Sequence, residues 1–103
     1  MTMTLLQFDF PASGPWGEAM VGAFAELAHA IADAPGLIWN LWTENEATGE
    51  QGGIYLFADP ESAEAYRLMH TARLASFGIT AVRAKTFAVN GPLSAITRGP
   101  VAV

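Results

Sequence analysis

The sequence predicts an α+β fold, a ferredoxin-like βαββαβ sandwich, on three observations. Four segments carry strand signals and two carry amphipathic helical spacing, in the order strand, helix, strand, strand, helix, strand. The middle two strands are separated by a polar, glycine-bearing stretch and read as a β-hairpin. Both faces of that hairpin are aromatic, so a sheet built on it needs a cover on each side. With 103 residues, 51% of them hydrophobic and 15% charged, residues 1–103 have the material for a single domain with its own core.

Leu5 to Phe10 alternates, setting Leu6, Phe8 and Phe10 against Leu5, Gln7 and Asp9, and reads as the first strand. Ser13-Gly14-Pro15 then offers a cap and a proline suited to a first helical turn. The helix places Trp16, Met20, Ala23, Phe24, Leu27 and Ile31 on one side, with Glu18, Gly22, Glu26, His29 and Asp33 on the other, and stops before Pro35. The hairpin follows, with Pro35 to Glu44 and Gly53 to Ala58 as its strands. Alternation groups Leu37, Trp39, Leu41 and Thr43 on one face and Ile38, Asn40, Trp42 and Glu44 on the other, so the two tryptophans point in opposite directions. Ile54 and Leu56 likewise oppose Tyr55 and Phe57. Gly52-Gly53 reads as a bulge, since no glycine-rich phosphate fingerprint surrounds it.

Asp59-Pro60 starts a second helix whose buried stripe is expected to hold Ala65, Met69 and Ala72, with Glu64, Arg67 and Thr71 outward. Tyr66 and Arg73 fall beside that stripe and His70 at its flank. Ile79 to Val89 reads as the last strand, broken by Asn90-Gly91-Pro92. Leu93 to Thr97 is then expected to form one helical turn and Gly99 to Val103 a loose tail.

Two helices cover only one face of a sheet. We assign Trp39 to the helix side and a set such as Ile38, Trp42, Tyr55 and Phe57 to the other, at ~1.5–3 kcal/mol for each large side chain removed from water. The gross gain of roughly 10 kcal/mol is comparable to the cost of association, which predicts a face-to-face homodimer. All ten acidic residues lie at or before Glu64 and all five basic ones after it. An edge near Glu44 and Glu46 could therefore meet one near Arg83 and Lys85 across that interface.

Composition excludes several classes. A net charge of −5 with no basic cluster argues against nucleic-acid and anionic-membrane partners. Zero cysteines exclude disulfides and thiolate chemistry, and two histidines far apart give no metal-ligand spacing. No apolar run approaches the ~20 residues of a membrane span and no secretory start is visible, so a soluble, cytoplasmic protein is expected.

Four stretches, Pro35 to Glu44, Gly52 to Phe57, His70-Thr71-Ala72-Arg73-Leu74 and Asn90-Gly91-Pro92-Leu93-Ser94, resemble the YdhR family of bacterial putative mono-oxygenases in order and spacing, from about Leu5 to Ile96. The departures are the C-terminal tail and Asn40, where the family pattern implies lysine. The resemblance implies a dimeric α+β barrel, similar to the antibiotic-biosynthesis mono-oxygenases that oxidise polycyclic phenols without flavin, haem or metal. Such chemistry needs a dry aromatic slot, a proton acceptor and groups that orient the ring and its anion.

For that slot the resemblance directs attention to Trp39, Trp42 and Tyr55 from the hairpin, Met20 and Phe24 from the first helix, and Met69 from the second. His70 would be the base, Arg73 would stabilise an oxyanion, and Tyr66 or Tyr55 would donate a hydrogen bond. The expected reaction is cofactor-independent mono-oxygenation of electron-rich aromatic compounds with dioxygen. The alternatives are a non-catalytic dimeric module that binds an aromatic small molecule, and haem binding or degradation with His70 as ligand. Each residue also has a purely structural reading: Trp39 as core, Trp42 as interface packing, and Tyr66 with His70 as an i, i+4 pair.

Overall fold

A computed structural model describes residues 2–101. Its elements are β1 (Thr4–Pro11), α1 (Gly17–Ala32), β2 (Leu37–Asn45), β3 (Glu50–Phe57), α2 (Pro60–Ser76), β4 (Arg83–Ala88) and α3 (Gly91–Ile96). The strands form one antiparallel sheet in the order β2-β3-β1-β4. That is the predicted α+β, ferredoxin-like arrangement. No helix among the described residues is long and apolar enough to cross a membrane.

The core follows the predicted alternation of β1. Leu6, Phe8 and Phe10 are buried and pack with Tyr55 and Phe57 of β3 and with Ile31, Ala63, Tyr66 and Leu74 of the helices. α2 starts where Asp59-Pro60 announced it, the Asp59 carboxylate accepting from the Ser62 N–H at 2.7 Å. Gly36 makes the preceding turn with φ +79°, and a Cβ there would lie 2.4 Å from the Ser62 hydroxyl oxygen, so turn and helix start are fitted to one another.

Several expectations are corrected. α1 begins at Gly17 rather than in the Ser13–Pro15 segment, and its first N–H donates to Glu44 Oε1 of β2 at 2.9 Å. Gly52 and Gly53 are not a bulge: they pair in register with both neighbouring strands, and the irregularity lies between Leu37 and Trp39. A Cβ on Gly52 would sit 2.0 Å from the Phe8 carbonyl oxygen, so the glycine is required by the close approach of β1. β4 is shorter than the predicted Ile79–Val89 strand. α3 matches the expected helical turn, but the segment after it is held: Gly99 N–H donates to Ser94 O at 2.7 Å and Trp39 Nε1 to Pro100 O at 2.8 Å. Ala102 and Val103 of the expected tail lie outside the described residues.

The assignment of sheet faces is reversed. Trp42 pairs with Gly53 and Trp39 with Leu56, while Tyr55 and Phe57 pack under α2 at 4.9 and 5.3 Å from the Tyr66 ring. Trp42 therefore shares the helix side with Tyr55 and Phe57, and its ring lies 6.1 Å from Phe24 of α1. Trp39 takes the opposite face with Leu41 and Ile54. The grouping along β2 holds from Trp39 onward, with its direction of burial inverted because β3 decides it; the irregularity before Trp39 sets Leu37 opposite Phe57, on the helix side with Trp42 rather than with Trp39. The α2 stripe is displaced in the same way. Ala63, Tyr66, His70 and Leu74 are buried, whereas Ala65, Met69 and Ala72 are exposed.

Candidate active site

Three residues of α2, Tyr66, His70 and Arg73, follow one another at i, i+4 and i+7 and so share the face turned toward the sheet. Tyr55 meets them from β3, and Phe8 of β1 presents its ring edge-on to His70 at 5.1 Å and 89°. Tyr66 and His70 stack at 5.0 Å and 26°. The Arg73 guanidinium carbon lies 5.9 Å from the centre of the Tyr66 ring, a cation–π distance. Both Tyr66 and His70 are 4% exposed.

The hydrogen bonds give this cluster a direction. Arg73 Nε and a terminal guanidinium nitrogen lie 3.2 and 2.9 Å from His70 Nδ1, and the terminal nitrogen also donates to the Tyr66 hydroxyl at 3.3 Å. Arginine only donates, so Nδ1 is the acceptor and a neutral ring carries its proton on Nε2. Nε2 faces the Tyr55 hydroxyl at 3.5 Å, a long contact in which the tyrosine oxygen accepts. The Tyr55 O–H is then left to donate. A chain thus runs from the Arg73 charge through the imidazole to a hydroxyl on β3.

Burial, followed by the positive charge of Arg73, pushes His70 down to about 4, so the ring is neutral at pH 7. Burial raises both phenols; for Tyr55 the neighbouring Tyr66 adds to the rise, while for Tyr66 the contacts with Tyr55 and Arg73 oppose it. Both hydroxyls remain protonated donors. Among the described residues no carboxylate pairs with Arg73, which leaves its charge to act on the imidazole and the phenol. No group of His, Asp and Glu among the described residues could hold a metal ion.

Tyr55 and His70 line a cavity of about 40 Å³ between sheet and helices. Met20, Phe24 and Trp42 line it from α1 and β2, as do Phe10, Leu74 and Gln51. Of the nine residues singled out from the sequence, seven therefore gather here: Tyr66, His70 and Arg73 as the polar cluster, with Tyr55, Met20, Phe24 and Trp42 around the cavity. Two do not. Trp39 lies across the sheet, bonded to Pro100, and Met69 faces an outer groove between the helices. Asn40 donates to the carbonyls of Leu41 and Ile54 and so serves the strand backbone.

Gln51 was missed. It is 5% exposed, and its amide donates to the Pro15 carbonyl at 2.7 Å, tying β3 to the segment before α1. The sequence placed it in the hairpin turn. Extending the β3 alternation backward through Gly53 would have set it beside Tyr55 and Phe57.

A family described as "Putative mono-oxygenase ydhR" matches residues 5–100. No curated protein matches the chain.

Proposed function

The chain belongs to the YdhR putative mono-oxygenase family, and on that footing we propose that it oxygenates electron-rich polycyclic phenols and their keto tautomers with dioxygen and without a cofactor. The observation that carries this reading is the Arg73–His70–Tyr55 chain ending at an aromatic cavity. The substrate supplies all four electrons. At a ring-flanked methylene two C–H bonds break, one oxygen atom enters as a carbonyl, and the other leaves with the two hydrogens as water.

The protein's part is to favour the substrate anion that hands electrons to dioxygen. The Tyr55 hydroxyl, held protonated by burial, donates to the substrate oxygen as negative charge grows on it. Arg73 is the nearest positive charge. At rest it occupies the His70 Nδ1 lone pair, so an oxyanion that draws the guanidinium away frees Nδ1 to accept the substrate proton. Gain of the oxyanion contact and gain of the base are then one event.

A specific observation favours a second reading, a non-catalytic module for the same compounds: both imidazole nitrogens face partners in the resting state and the ring titrates only near 4. Dioxygen consumption by chelator-treated protein against anthrones, naphthols and hydroquinones separates the two. Under the oxygenase reading uptake is catalytic, and it falls by about 10²–10³ in Arg73→Ala and by about 10²–10⁴ in His70→Ala. Saturable binding with no uptake above the uncatalysed rate would favour the module.

We also propose that the sheet face away from α1 and α2 pairs with a second copy. Leu41 and Phe87 on that face are 57% and 47% exposed. Arg83 already binds Asp9 and Glu50 of its own chain at 2.6 and 2.7 Å, so the apolar side chains rather than that arginine would drive the association. Sedimentation equilibrium should give twice the 10.9 kDa chain mass, and Leu41→Arg should return it to one chain. A wild-type protein that is monomeric at tens of micromolar would end the proposal.

A further inference from the structure

The cavity that holds Tyr55 and His70 has room for about one water molecule and for no aromatic ring. A second, surface pocket of about 240 Å³ lies directly outside it between α1 and β2, and apart from Glu44 its walls are apolar. Met20, Phe24 and Trp42 line both spaces, so the partition between them consists of these three side chains. Joined, the two spaces approach the ~300 Å³ at which small-molecule sites begin.

The parts of the partition are held differently. Met20 is buried and Trp42, though 39% exposed, stands on a strand paired with β3, whereas Phe24 is half-buried on α1, a helix with only two buried residues. Phe24 also lines a third space of about 620 Å³ at the other end of the cavity, beside Gln51, Phe77 and Ile79. A ring leaving the partition therefore has somewhere to go.

We infer that Phe24, closed against Trp42, is the gate that admits planar aromatic compounds from the α1–β2 pocket to the Tyr55–His70 cavity, and that it sets the size of compound accepted. The two rings meet at 6.1 Å and 33°, a contact that favours the closed position by up to about tenfold. Ligand affinity is lowered by the same factor, because only the open fraction binds. The inference takes its choice of ligand from the oxygenase reading, but its geometry does not depend on turnover.

The test is a titration with anthrone under nitrogen, so that binding is observed without oxygenation, following the His70 imidazole resonances by NMR. The other histidine, His29, is exposed on α1 and provides a reference within the same spectrum. In the wild-type protein anthrone should shift the His70 signals. Phe24→Ala should keep that shift and tighten binding by up to about tenfold, whereas Phe24→Trp, with a larger ring in the partition, should abolish it. Equal affinities and equal His70 responses in all three proteins would overturn the gate, as would the absence of any His70 response in Phe24→Ala. If Phe24→Ala does not fold, Phe24→Trp decides alone. Should the gate behave as expected while admission of air gives no oxygen uptake, the oxygenase reading fails and the gate stands.

Discussion

The two long helices lie over the same face of the same sheet, yet they are anchored differently. α2 buries Ala63, Tyr66, His70 and Leu74 and is capped by its own Asp59. α1 buries only Met20 and Ile31, and its first N–H bonds to Glu44 on the neighbouring strand. All three polar side chains of the cluster that come from a helix come from α2, whereas Phe24 and Met20, which separate the cavity from the surface, come from α1. Positioned chemistry needs side chains locked by packing, and access needs an element that opens at low cost in free energy. On the proposed reading, the difference between the helices serves both needs on one sheet face.

The largest expected effect on stability tests that difference directly. Leu74 is 3% exposed at the C-terminal end of the buried α2 stripe, so Leu74→Ala should lower unfolding free energy by about 2–5 kcal/mol through lost burial and the cavity left behind. Val21 on α1 is 62% exposed, and Val21→Ala should change it by no more than about 0.5 kcal/mol. Urea unfolding of the two variants measures both. Losses of similar size would mean that α1 is as firmly built into the core as α2, and the contrast would collapse.

The same contrast explains what could be read in the sequence. Strand order, helix order and the start of α2 were legible, because alternation, 3.6-residue spacing and Asp59-Pro60 are local signals. The residues gathered around the site were mostly legible too, since spacing along α2 fixes Tyr66, His70 and Arg73 to one another whatever they pack against. The direction of burial was not. Hydropathy chose Ala65, Met69 and Ala72 for the inner face of α2, but Tyr66 and His70 go inside because Arg73 and Tyr55 satisfy their polar atoms there. Trp39 and Trp42 are equally apolar, and which of them meets the helices depends on pairing with β3. The hydrogen bond from Trp39 to Pro100 spans 61 positions and has no local signature.

A smaller and more selective effect should appear with pH. His70 is held near 4 in the folded protein against an ordinary value of 6.5, so between those values the unfolded chain binds a proton that the folded one refuses. The unfolded state therefore gains as pH falls, and the contribution of the neutral buried ring, complete above about pH 6.5, declines toward pH 4. By pH 5 the loss is about 2 kcal/mol from this group. α1 buries no titratable side chain, so the dependence belongs to the α2 side of the molecule. Unfolding free energies measured by urea at pH 7 and pH 5 should differ by about that amount in the wild-type protein, and His70→Gln, which cannot titrate, should remove most of the difference. A His70→Gln protein with the wild-type pH dependence would show that the imidazole is not held neutral by its surroundings. It would also weaken the case that Arg73 stands ready to release it.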